Sequence, residues 1–208
     1  MAVPVDFLSD EQVARYGRFA AEPSAGELEA FFRLTVQARE LATAKRRPET
    51  RLGWAVQWGT VRMLGTFLTD DPLAVPGPVV EFVAEQLGVD PGCFAEYGSR
   101  LQTVYEHAWE IRDVWGYRDF AAGEDELRVF LAARVHASLE GPRSLFDRAV
   151  VRLVESRVLL PRLSTLVRLV AAVRATENAR LLLAICGVRW CAPCWPSIAS
   201  PSTAGSLP

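Results

Sequence analysis

The chain is nearly devoid of lysine: Lys45 is the only one, and the other 22 of its 23 basic residues are arginine. Positive charge is therefore carried by planar forks suited to phosphates and guanine edges. Histidine is almost as rare, with only His107 and His136, and neither sits in an array of Cys, Asp or Glu at metal-ligand spacing. No metal site and no cofactor are expected. Of the four cysteines, Cys93 stands alone and Cys186, Cys191 and Cys194 fall in the last 23 residues, so there is no disulfide framework. Cys191 and Cys194 form a CxxC pair, which supplies only two of the four ligands of a structural zinc and lacks the βαβ context of a thiol-redox motif. No apolar run approaches ~18 residues, so no transmembrane helix is expected. The first residues lack a basic start and an apolar core, so no signal peptide is expected and the expected compartment is the cytoplasm. Period-two alternation is absent too, which speaks against a strand ladder.

Half of the 208 residues are apolar and 23% are charged, the composition of a folded globular chain rather than a disordered one. The net charge is −2, but it is unevenly spread. Residues 33–62 carry seven Lys or Arg against two Glu, while residues 1–32 carry two Arg against six acids, and residues 63–99 carry six acids and no base. A cationic island between acidic flanks suits a nucleic-acid contact, because phosphate neutralisation needs clustered cations, not overall basicity. A second concentration, residues 143–180, has eight Arg against three acids.

Helix punctuation dominates the rest. Ser9 with Gln12, Ser24 with Glu27 and Ser99 with Gln102 have capping-box spacing, and Asp90-Pro91 places an N-cap residue before a proline at the first helical position. These signals and the three-four apolar periods predict an all-α fold with helices near 10–20, 25–33, 36–46, 51–69, 77–88, 91–97, 100–115, 124–139, 143–159 and 165–185. Proline- and glycine-rich stretches at 70–78 and 140–142 suggest about three small helical modules, 1–70, 71–140 and 141–185, followed by a tail at 186–208. Residues 181–208 hold a single charge, Arg189, and no helical period, which reads as a disordered or aberrant terminus, such as a frameshift on a truncated gene.

Two sets of residues are candidates for DNA contact. On a helix over 51–69, Arg51, Trp58 and Arg62 share one stripe at 100° per residue, and Lys45, Arg46 and Arg47 lie at its leading end. Either this stripe lies on DNA, or it is a solvated cationic face beside a core helix. In the second basic region a helix ends at Leu159-Leu160-Pro161 and Ser164 or Thr165 caps the next, which is helix-turn-helix order. Ser164, Thr165 and Arg168 then become reading positions, with Arg148 and Arg152 lining the preceding helix; the alternative is an ordinary helical hairpin with solvent-facing arginines.

Certain fragments also carry a resemblance. Leu8-Ser9-Asp10-Glu11-Gln12, Tyr16-Gly17, Arg46-Arg47, Arg51-Leu52-Gly53-Trp54-Ala55-Val56-Gln57, Arg62-Met63-Leu64-Gly65, Glu85-Gln86-Leu87-Gly88, Glu106-His107, Gly116-Tyr117-Arg118-Asp119-Phe120, Leu145-Phe146-Asp147 and Leu159-Leu160-Pro161 occur in this order. Across residues 5 to about 180 the chain resembles the amino-terminal region of Tn-three family transposases. The resemblance implies a double-stranded DNA partner, the terminal inverted repeats of a transposon, with full-length transposase as a further partner. It also implies a polar, DNA-proximal position for His107, whereas the residues alone favour a surface or packing histidine on the polar side of its helix; an arginine that often follows Gln-Thr in the family is here Val104. Family catalysis uses three carboxylates on an RNase-H-like fold, which needs strands that cannot be read here, so no catalytic residue is carried over and the chain is not expected to be an enzyme. The competing reading is a helical protein-interaction module, or an inactive pseudogene product, with no affinity for nucleic acid.

Overall fold

The computed structural model describes residues 7–138 and 140–188, of which 184–188 by backbone alone. The fold is all-α, as expected. Its helices are α1 (Asp10–Arg15), α2 (Ala25–Glu27, continuing as a π turn over Leu28–Phe32), α3 (Val36–Thr43), α4 (Pro48–Leu64), α5 (Gly77–Leu87), a 3₁₀ segment over Pro91–Ser99, α6 (Leu101–Trp115), α7 (Phe120–Ala137), α8 (Pro142–Glu155) and α9 (Leu163–Val188). Among the described residues the only β pairing is an isolated bridge between Arg118 and Val158. The expected tail falls largely outside the described residues, although α9 runs three residues into it.

Local chemistry sets most boundaries. The capping boxes at Ser9–Gln12 and Ser24–Glu27 are both formed, each satisfying two free amides at a helix start. The one expected at Ser99–Gln102 is not: Gln102 donates instead to Glu106 (3.0 Å), and Arg100 is the N-cap of α6 with no side-chain cap. Helix α4 ends at Gly65, whose φ of +70° is cheap only for glycine, so Thr69 lies beyond it. The α8 helix stops at Glu155, short of the expected 159, because Arg157 turns left-handed (φ +53°) and Val158 pairs with Arg118.

Packing is organised around α4. Every residue from Leu52 to Val61 is buried, and α3, α5, α6, the π turn and the 3₁₀ segment surround the helix. A helix enclosed on all sides is apolar or small nearly all round, buried Gln57 being an exception, and two glycines show why. A Cβ on Gly53 would stand 2.2 Å from the Tyr97 ring, and one on Gly59 would stand 2.1 Å from the Phe32 ring. Leu52, Trp54, Val56, Trp58 and Val61 thus join Phe32, Val79, Val83, Phe94, Val104 and Ile111 in a first core. Leu8, Leu127, Leu131, Leu145, Phe146, Leu153, Leu166 and Val170 make a second, filled by α7, α8 and α9.

These two cores do not follow the expected boundaries at 70 and 140. The stretch from the π turn through α6 shares one core, while α1 crosses to the other: Gln12 Nε2 donates to Asp147 (2.9 Å) and Tyr16 Oη donates to the Pro161 carbonyl (2.8 Å). The reason is that 77–111 has its apolar partners on α4 rather than on its own segment. The link over 156–162 joins the two halves, since Leu160 N–H donates to the Gly65 carbonyl and Leu159 N–H to that of Arg118, both at 2.9 Å.

Candidate nucleic-acid interface

The enclosure of α4 overturns the expected cationic stripe. Trp58 is 1% exposed and packs against Trp115 at 5.8 Å between ring centroids, so it is a core residue. Arg62 lies 4.3 Å over the Trp58 ring and donates to the carbonyls of Phe31 (2.5 Å) and Ala30 (2.9 Å), where the π turn leaves them unpaired. Burial lowers the pKa of this guanidinium. Arg62 is thus a brace between α4 and the π turn rather than a free cation. Arg51 is half-buried, and its Nε donates to the Lys45 carbonyl at 2.8 Å, tying the end of α3 to the start of α4.

Lys45 is likewise turned inward. Its ammonium meets the Glu110 carboxylate at 2.5 Å, the same oxygen that accepts from the Trp54 indole at 2.9 Å. With both charged side chains largely covered, the pair anchors α6 to α4. Of the five candidate cations Lys45, Arg46, Arg47, Arg51 and Arg62, only Arg46 and Arg47 remain exposed, while Arg33 and Arg39 are exposed further back in the same basic region. Arg47 stands 3.6 Å from the mostly buried Glu49 carboxylate, and no ion pair of Arg46 is present among the described residues.

His107 is a packing histidine, not a DNA-proximal one: it is 5% exposed, on the buried face of α6 rather than the expected polar side. Its Nδ1 lies 3.0 Å from Tyr97 Oη, which accepts from Gln57 Nε2 at 2.8 Å. The tyrosine proton then points to Nδ1, and the imidazole carries its own proton on Nε2. Burial first, and then the nearby Lys45 charge, push its pKa down to about 4, so it is neutral at pH 7. Val104, on the turn before, is fully buried, and an arginine there would enter the core.

Sequence reasoning missed Arg100. It is exposed and lines a cleft of about 200 Å³ with Arg46, Arg47, Thr50, Ser99 and Thr103, with Glu49 and Glu96 in the same wall. Arg100 and Arg47 are far apart in sequence and on opposite sides of the acidic stretch. They meet because the 3₁₀ segment lies along α4 with Tyr97 over Gly53, which delivers residues 99–103 to the start of α4. Arginine next to a helix-start signal at Ser99 was the only local hint.

In the second core α7, α8 and α9 pack against one another. The link from α8 to α9 is seven residues, 156–162, rather than the three or four of a tight helix-turn-helix, and α9 starts at Leu163, so neither Ser164 nor Thr165 is its cap. Both still lie in its first turn. Ser164, Arg162 and Arg168 are exposed, Thr165 is half-buried, and Arg168 Nε donates to the Ser164 carbonyl at 3.0 Å. On α8, Arg148 and Arg152 are exposed; Arg148 lies 3.9 Å from Glu140 and Arg152 stands 5.6 Å over the Phe130 ring. Among the described residues no group of His, Cys, Asp and Glu could hold a metal ion, and no helix is long and apolar enough to cross a membrane.

Residues 7–173 match a family described as a domain of unknown function, DUF4158. The transposase for transposon gamma-delta of Escherichia coli (strain K12) is 39% identical over 182 residues, covering 86% of this chain and 18% of that protein. The transposase for transposon Tn501 of Pseudomonas aeruginosa is 32% identical over 171 residues, covering 80% of this chain and 17% of the relative. That for Tn1546 of Enterococcus faecium is 27% identical over 154 residues, covering 74% of the chain and 16% of the relative. The chain spans less than a fifth of the length of these relatives, and the matching region is their N-terminal domain. The chain therefore belongs to the DUF4158 family and is a relative of the N-terminal domain of Tn3 (Tn-three) family transposases.

Proposed function

We propose that this chain is a DNA-binding element of the Tn-three type that recognises transposon terminal inverted repeats and carries no strand-transfer chemistry of its own. The observation that carries the reading is the exposed first turn of α9. Ser164 and Arg168, with Thr165 half-covered, stand at the start of a 26-residue helix whose other face is held in a three-helix core. A long helix anchored in this way can present its first turns to a major groove, where hydroxyls and guanidinium forks discriminate base edges. Arg148 and Arg152 lie on the neighbouring helix, and Arg46 and Arg47 are further exposed cations, on the first core. Among the described residues there is no sheet on which three carboxylates could be gathered around metal ions, and the proposal assigns the chemistry of the relatives to other parts of those proteins. The matched relatives are bacterial proteins, whose DNA lies in the cytoplasm, and that compartment is proposed for this chain, with full-length transposase as a second partner at the same ends.

Fluorescence anisotropy with a duplex of the terminal repeat and a shuffled duplex, across a salt series, tests this. The repeat is bound more tightly, and Arg168→Ala narrows the preference by about 1–3 kcal/mol. Absence of binding to either duplex at low salt overturns the reading.

One feature favours the protein-interaction alternative. Phe67, Tyr105, Trp109, Phe120, Leu159 and Leu160 line an open groove of about 500 Å³, with Trp109 63% exposed. Exposed aromatic grooves of this size mark docking sites. If the chain is only such a module, Trp109→Ala abolishes capture of full-length transposase while no variant of α9 matters.

A further inference from the structure

We infer that the cleft formed by Arg46, Arg47 and Arg100 is a seat for successive phosphodiesters of duplex DNA, separate from the α9 surface; this rests on the DNA reading above. Three arginines from two distant stretches of chain line one open cleft, together with Thr50, Ser99 and Thr103. Arginine forks and hydroxyls are the donors that hold backbone phosphates. The two acids of the wall offset them only in part. Glu49 is mostly buried and faces Arg47 at 3.6 Å, so it orients that arginine from below, while Glu96 is exposed at the rim. Arg46 and Arg100 then stand against Glu96 alone, and the cleft keeps a net positive charge. The only aromatic ring in the lining is that of Tyr97, which is 2% exposed and stacked on His107. The cleft thus offers no face on which a base could stack, and takes phosphate without nucleobase. Its position on the first core, while α9 belongs to the second, divides the labour: the cleft grips the backbone and α9 reads the sequence.

The test uses the full chain and the same two duplexes. Arg100→Gln should weaken binding to the repeat and the shuffled duplex equally, leave their ratio unchanged, and lower the slope of log K against log salt by about 0.9. Combining it with Arg46→Gln should lower the slope by about 1.8. Glu96→Gln should tighten both complexes, a gain that no folding defect can imitate. Inorganic phosphate should compete no better than chloride at equal ionic strength, which separates a duplex backbone from free phosphate. If the wild-type chain binds DNA and Arg100→Gln leaves the slope unchanged, the seat is overturned and the DNA reading survives. A change in the repeat-to-shuffled ratio assigns Arg100 to base contact and also overturns the seat. Competition by millimolar phosphate beyond its ionic strength makes the cleft a small-anion site and overturns it as well. No binding to either duplex removes both proposals together.

Discussion

Lys45 and Glu110 show how the same residue types serve opposite ends. A lysine beside two arginines looks like part of a phosphate grip, yet its ammonium is held by a carboxylate that also accepts from Trp54. Glu110→Ala leaves a covered ammonium and an indole N–H without a partner and should lower stability by about 2–4 kcal/mol in urea unfolding. Lys45→Gln, by contrast, should leave the salt slope of DNA binding close to wild type. His107 yields a pH prediction. Its pKa falls from about 6.5 unfolded to about 4 folded. The folded state thus keeps it neutral, and below pH 6.5 the unfolded chain binds the extra proton. Stability from this group is complete above pH 6.5 and is lost as pH falls towards 4, by up to about 3 kcal/mol at 1.36 kcal/mol per unit. Urea unfolding at several pH values, compared with His107→Gln, checks it: the variant should lack this part of the acid loss.

The behaviour of α4 follows from what surrounds it. Glycine in a helix interior normally costs up to about 1 kcal/mol relative to alanine, so Gly→Ala should stabilise an ordinary helix. Here Gly53→Ala and Gly59→Ala drive a methyl group into the Tyr97 and Phe32 rings, and each should instead destabilise by about 1–3 kcal/mol. Gly53→Ala should also weaken DNA binding, because displacing Tyr97 moves Arg100 away from Arg47. Arg62→Ala removes two hydrogen bonds to π-turn carbonyls and the guanidinium cover on Trp58. It should lower the melting temperature by several degrees while leaving the salt slope of any DNA complex unchanged. A loss of slope without loss of stability would return Arg62 to the interface.

At the scale of the molecule, two cores are joined by a short linkage over Gly65, Arg118 and residues 158–160. The cationic cleft belongs to one core and the first turn of α9 to the other, so their spacing depends on this linkage. Val154 and Leu160 lie 2.8 and 3.0 Å from where a Gly65 Cβ would be, and φ there is +70°. Gly65→Ala should therefore lower stability, and should reduce discrimination between repeat and shuffled duplexes more than it reduces the salt slope. Hydrogen exchange should show its largest gain at the Leu159 and Leu160 amides.

The sequence alone determined the all-α class and the placement of most helices, because capping side chains, glycine stops and three-four periodicity act within one or two turns. It also held the family relationship, carried by short fragments in order. It did not determine which arginines are free. Arg46, Arg47, Arg51 and Arg62 are alike in sequence, and only the wrapping of α4 decides that the first two are exposed while the others brace neighbouring backbone. The meeting of Arg100 and Arg47 in one cleft and the crossing of α1 to the second core were equally unreadable. Each depends on contacts between residues tens of positions apart, which composition and local period do not encode. Helix boundaries are settled by hydrogen bonds within a few residues, whereas the exposure of a charge is settled by which distant surface needs that side chain as its partner.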